Sequence, residues 1–198
     1  MSRFVFVLAL VLGHPALARG HDLKDGEIER DVQVSVKSDS VLVEYSVAMN
    51  KVTLAQELRT HGQKPAKTLS AMWKQYQEVI LPVLNKHLEL TVAGEKSPFE
   101  PIRAEFSGWS HLHLTCLFKA EISLTQQPRT IVFTDGNFHK ALGKYRIAMK
   151  GRSGAKMAKS TVPPLVSRAK PVVLAKLTPE QNQAATRAEG EFALDIGR

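Results

Sequence analysis

Cysteine is nearly missing from this chain: Cys116 is the only one among 198 residues, so no internal disulfide can form and packing has to hold the fold. Long apolar runs are missing as well, apart from the nine residues from Phe4 to Leu12. That run is far shorter than the about 20 residues a membrane-spanning helix needs. There is no glycine-framed serine, no metalloprotease helix motif, no CxxC pair and no phosphate loop, so catalysis is not expected. No internal repeat and no low-complexity segment interrupts the chain. Acidic residues are absent from Gly136 to Pro179, a stretch that carries ten lysines and arginines.

The N-terminal order is that of a secretory signal peptide. A basic Met-Ser-Arg is followed by the apolar run and then by Gly13, His14, Pro15 and the small-residue series Ala16-Leu17-Ala18. Small residues stand where cleavage needs them for cuts after Ala18 or Gly20, so residues 1–20 are expected to be removed and the remainder to work in the periplasm or outside the cell. About 180 residues then remain, enough for one domain.

Period-two alternation marks strands at Arg30 to Val36 and Val41 to Val47, joined by the polar turn Lys37 to Ser40. The period changes at Thr53, a candidate helix cap before Leu54 and Leu58, with His61-Gly62 as the stop. After Pro65 the spacing of Leu69, Met72, Trp73, Tyr76, Ile80 and Leu84 predicts a longer helix with one apolar face and a proline, Pro82, in its last turns. Strand patterns return at His87 to Ala93, Ile102 to Phe106, Ser110 to Leu124 and Arg129 to Thr134. Asp135-Gly136-Asn137 reads as a hairpin corner, with Tyr145 to Met149 as the returning strand. The fold class is therefore mainly β, an immunoglobulin-like β-sandwich over residues 21–177 with one helical insert at about 53–86. A last strand is expected at Val172 to Leu177, and residues 178–198 should form a flexible or helical tail with Thr178 as cap. Cys116, within the apolar series Leu112, Leu114, Cys116 and Phe118, is expected to be a buried, inert thiol.

Several segments together resemble the extracytoplasmic N-terminal domain of bacterial nickel and cobalt transporters and related hydrogenase-accessory permeases. The likeness runs from about Gly20 to Lys150 and rests on His21 after the signal, on Val43-Glu44-Tyr45, and on Asp135 to Phe138 ahead of Arg146. It implies an exported accessory or sensing role next to a membrane permease or another envelope protein. The chain departs from those transporters in having no polytopic membrane region and no histidine-x4-aspartate-histidine helix motif, so transport by this chain alone is excluded.

Two constellations could bind a transition metal (nickel, cobalt or copper). A cut after Ala18 exposes Arg19-Gly20-His21, whose amine, two amide nitrogens and imidazole suit square-planar Cu(II) or Ni(II), and a cut after Gly20 leaves His21 to chelate through amine and ring. His111 and His113 stand one residue apart in a strand pattern and share a face; His139, Asp135 or Glu105 would have to supply a third ligand. The alternative function is an interaction module whose basic residues Lys140, Lys144, Arg146, Lys150, Arg152, Lys156 and Lys159 hold an anionic partner or membrane surface, nucleic acid being excluded by export.

Overall fold

The computed structural model describes residues 23–107 and 112–195, which leaves the expected signal peptide, His21 and His111 outside the described residues. In chain order the elements are β1 (Ile28–Val36), β2 (Ser40–Met49), α1 (Lys51–Thr60), α2 (Leu69–Lys86), β3 (Leu88–Val92), β4 (Glu95–Lys96), β5 (Glu100–Ser107), β6 (Leu112–Glu121), β7 (Arg129–Asp135), β8 (Tyr145–Gly151), β9 (Ala155–Ser160), α3 (Pro179–Ala185) and β10 (Arg187–Leu194). The protein is mainly β, a sandwich of two five-stranded sheets ordered β5-β6-β2-β1-β8 and β4-β3-β7-β10-β9. One core unites them: Val32, Val34, Val43, Tyr45, Val47, Leu114, Cys116 and Phe118 come from the first sheet, and Leu90, Ile131, Phe133, Ala188 and Phe192 from the second.

The helical insert follows from its own periodicity. α2 is capped by the Thr68 side chain and buries Met72, Trp73, Tyr76, Ile80 and Leu84. Trp73 meets Tyr76 edge-on at 5.6 Å and stacks on Phe106 of β5 at 4.9 Å. α1 starts earlier than expected. Asn50, not Thr53, is the cap, its Oδ1 accepting from the Thr53 N–H at 2.8 Å, while the Thr53 hydroxyl accepts from Gly26 N–H at 2.8 Å.

The second half of the chain departs from the expected order in three places. β8 does not return beside β7; it crosses to the other sheet and runs parallel to β1, pairing Arg30 with Tyr145 and Val36 with Gly151. Residues 136–144 are thus a crossover between sheets, and a parallel pair requires one. Gly143 lets it through: its φ is +112° and a Cβ there would lie 2.6 Å from the Ile28 carbonyl oxygen. The expected strand at Val172 to Leu177 is only a bridge from Val172 to Tyr145 followed by a 3-10 turn at Leu174–Lys176.

The tail is neither frayed nor wholly helical. Thr178 caps the short helix α3, as the sequence suggested, but β10 then lies between β7 and β9 in the second sheet. Its inward residues are Ala188, Gly190 and Phe192, and the Phe192 ring fills the space over Gly190, 2.6 Å from where a Cβ would stand. The edge strand β9 carries exposed Lys156 and Lys159, charges that discourage strand addition.

Candidate binding end of the sandwich

Alternation along β1 puts Arg30 on the same face as Val32 and Val34, and it is 1% exposed. Its Nη1 donates to the carbonyls of Phe138 at 2.8 Å and Asn137 at 3.5 Å. The guanidinium also lies 5.7 Å from the Phe138 ring centre and 5.3 Å from that of Tyr145. Asp135, the last residue of β7, is fully buried. Its Oδ2 accepts from the Tyr45 hydroxyl at 3.0 Å, and its Oδ1 accepts from the backbone and side-chain amides of Asn137, each at 2.9 Å. Asn137 Nδ2 also donates at 3.2 Å to the Leu84 carbonyl, which accepts from the His87 N–H as well, and so ties the loop to the C-terminal end of α2.

Electrostatics follow from the burial. It pushes the Asp135 carboxyl above its ordinary range, against the opposing pull of Asn137, Arg30 and Tyr45. Burial first and the neighbouring Asp135 second push the Tyr45 and Tyr145 phenols well above theirs. Charged groups are expensive to bury, and this set is spent on fixing one loop, residues 136–144.

That loop is a ridge between two grooves that both include Gly136, His139 and Lys140. The first, of about 560 Å³, lies between the loop, the start of β1, α1 and the end of α2, and is lined by Glu57, His61, His87 and His139 among others. Glu57 and His61 are 3.9 Å apart, and burial raises the carboxyl and lowers the imidazole, so both are drawn toward their neutral forms. The second, of about 700 Å³, lies against α3 and the Leu174–Lys176 turn. There Asn182 Oδ1 is 3.0 Å from His139 Nδ1, and its Nδ2 donates to the carbonyls of His139 and Leu174 at 3.3 and 3.1 Å. Both volumes lie in the range of small-ligand sites.

The residues singled out from sequence are scattered. His21 and His111 lie outside the described residues. His113 is half-buried on β6, opposite Ala48 of β2, near Asp31, whose carboxyl burial raises against the opposing pull of Arg146 and, less, of His113. Glu105 pairs with Arg103 at 3.1 Å, Asp135 is in the buried network and His139 is at the ridge. Among the described residues no group of three or more His, Cys, Asp or Glu side chains could hold a metal ion, so these residues alone do not fit one. Cys116 is buried and its thiol is pushed up to about 12.

Nor do the seven basic residues form one bare cationic face. Parallel pairing of β1 and β8 sets Lys144 against Glu29 at 3.5 Å and Arg146 against Asp31 at 3.1 Å, and Lys159 meets Glu191 at 3.6 Å. Lys150 is half-buried, whereas Lys140, Arg152 and Lys156 are exposed. Arg30, His61 and His87 were missed by sequence reasoning, although the parity of Arg30 with Val32 and Val34 already marked it as inward. Among the described residues no helix is long and apolar enough to cross a membrane. Compared with known proteins, the chain matches no protein-family model and no curated protein.

Proposed function

We propose that this chain is an exported, non-catalytic accessory domain that binds at the end of the sandwich built around residues 136–144, and that its partner is a membrane permease or other envelope protein concerned with nickel, cobalt or copper. The observation that carries the reading is the use of buried Arg30, Tyr45, Asp135 and Asn137 to fix a surface loop bordered by two grooves. By satisfying the backbone of the crossover these side chains hold Gly136, His139 and Lys140 in one place at the boundary of both grooves, and a fixed surface of that kind favours a defined contact there. The resemblance supplies the class of partner. The non-catalytic reading is supported by the single thiol, which is raised to about 12 and lines neither groove. In this reading the metal ligands come either from His21 at the mature N-terminus or from the pair His111 and His113.

Photo-crosslinking in exporting cells tests it. A crosslinking residue at position 140 should capture a discrete envelope protein, while one at Lys156, on the β9 edge away from the loop, should not. Equal capture from the two positions, or none from position 140, would refute the proposal.

A further inference from the structure

The strongest unpartnered charge is on the helical insert, not in the basic run. Between Lys51 and His87 the chain carries Lys51, Arg59, Lys64, Lys67, Lys74 and Lys86 against Glu57 and Glu78. All six cations are exposed, and none makes an ion pair with a described residue. Helical spacing turns Gln56 and Arg59 to the side of α1 away from the buried Leu54 and Leu58, and Lys64 and Lys67 lie in the connection between the helices. Six like charges on one insert repel one another, and no described neighbour pairs with them as Glu29, Asp31 and Glu191 do with Lys144, Arg146 and Lys159.

We propose that the insert between Lys51 and His87 docks the domain on an anionic lipid surface through headgroup phosphates. The side-chain chemistry favours lipid over an acidic protein. Five of the six cations are lysines, compact and strongly hydrated charges on flexible stems, and lysine is depleted at protein interfaces where arginine and aromatics are enriched. Val52 is the one large apolar side chain exposed on the insert among the described residues, so there is no aromatic anchor for a packed interface. A lipid surface needs neither fixed geometry nor anchors, and it attracts clustered cations in proportion to their number. This inference does not depend on the groove reading, though the first groove would then open beside the bilayer, since Gln56, Glu57, His61 and His87 line it.

The test is co-sedimentation of the chain lacking residues 1–20, whose removal leaves every described residue in place, with equimolar phosphatidylglycerol–phosphatidylcholine vesicles and with pure phosphatidylcholine vesicles. Binding is expected only to the anionic vesicles and should fade with added salt. Each cation near such a surface is worth roughly a fivefold change in partition, so Lys64→Glu with Lys67→Glu should weaken binding by at least about tenfold. Arg152→Glu with Lys156→Glu makes the same charge change at the other end of β1, where Arg152 N–H meets the Val36 carbonyl, and should leave most of the binding intact. Circular dichroism confirms that both double variants fold. No binding to anionic vesicles, equal loss in the two variants, or binding to polyglutamate but not to vesicles would overturn the proposal.

Discussion

Asparagine and alanine at position 135 separate the charge of Asp135 from its hydrogen bonding. Burial raises the carboxyl above the ordinary value near 3.8, so the folded chain keeps a proton at pH values where the unfolded chain has lost it. The unfolded state then binds fewer protons, and this group's contribution to stability falls as pH rises from 3.8 through the raised value. Asp31 and Glu57, also raised by burial, add slopes of the same sign, so the quantity to follow is the difference between wild type and Asp135→Asn. Asparagine stands in for the protonated carboxyl and keeps an oxygen for both Asn137 donors. It should therefore match wild type in acid and become the more stable as pH rises to neutrality. Asp135→Ala removes the acceptor altogether and strands the Tyr45 hydroxyl and the Asn137 N–H, while Asn137 Nδ2 keeps the Leu84 carbonyl. Two orphaned buried donors cost about 2 to 6 kcal/mol together. For a chain of this size each kcal/mol moves the melting midpoint by roughly 2 to 4 °C, so the alanine variant should melt lower by roughly 10 °C. Urea unfolding across a pH series, with thermal melts alongside, reads both effects. The reasoning is refuted if asparagine is as damaging as alanine, or if the gap between wild type and asparagine does not open with rising pH.

Two further outcomes are expected. Trp73→Ala should lower stability by about 3 to 5 kcal/mol, since the ring is 1% exposed and packed against Tyr76 and Phe106; an unchanged melting curve would mean that the α2 stripe is not core. Mature chain with a native N-terminus should bind Cu(II) or Ni(II) more tightly than chain with an N-terminal extension, which turns the amine ligand into an amide; if binding sits instead on His111 and His113, the extension should have no effect and His113→Ala should abolish it, and negligible calorimetric heats throughout would remove metal from the function.

Period and parity made the first half of the fold legible. β1, β2 and α2 are nearly where alternation and helical spacing put them, because each has one buried face made of large apolar residues. β10 was hidden because its inward positions are Ala188 and Gly190 before Phe192, and small residues give no apolar signal. The partner of β8 was hidden because a short polar loop reads as a hairpin whichever sheet the next strand joins, and only long-range pairing with β1 decides it. The candidate site was half legible. Tyr45 and Asp135 to Phe138 entered through the resemblance, whereas Arg30, which ties them to β1, looked like the polar start of a strand.

The crossover also explains why charge is buried where it is. Residues 136–144 leave one sheet and enter the other, so the backbone at buried Asn137 and half-buried Phe138 has no strand ladder to pair with, yet carbonyls and amides withdrawn from water need partners. Side chains replace the missing ladder: the Arg30 guanidinium supplies donors to the Asn137 and Phe138 carbonyls, and the Asp135 carboxylate accepts the Asn137 N–H. A neutral donor at position 30 could not reach two carbonyls and lie against two aromatic rings at once, as the planar guanidinium does. With its backbone satisfied from below, the loop holds a single course over the end of the sandwich. Gly136, His139 and Lys140 are thereby held at the boundary of both grooves, a surface shaped by the parallel pairing of β1 and β8.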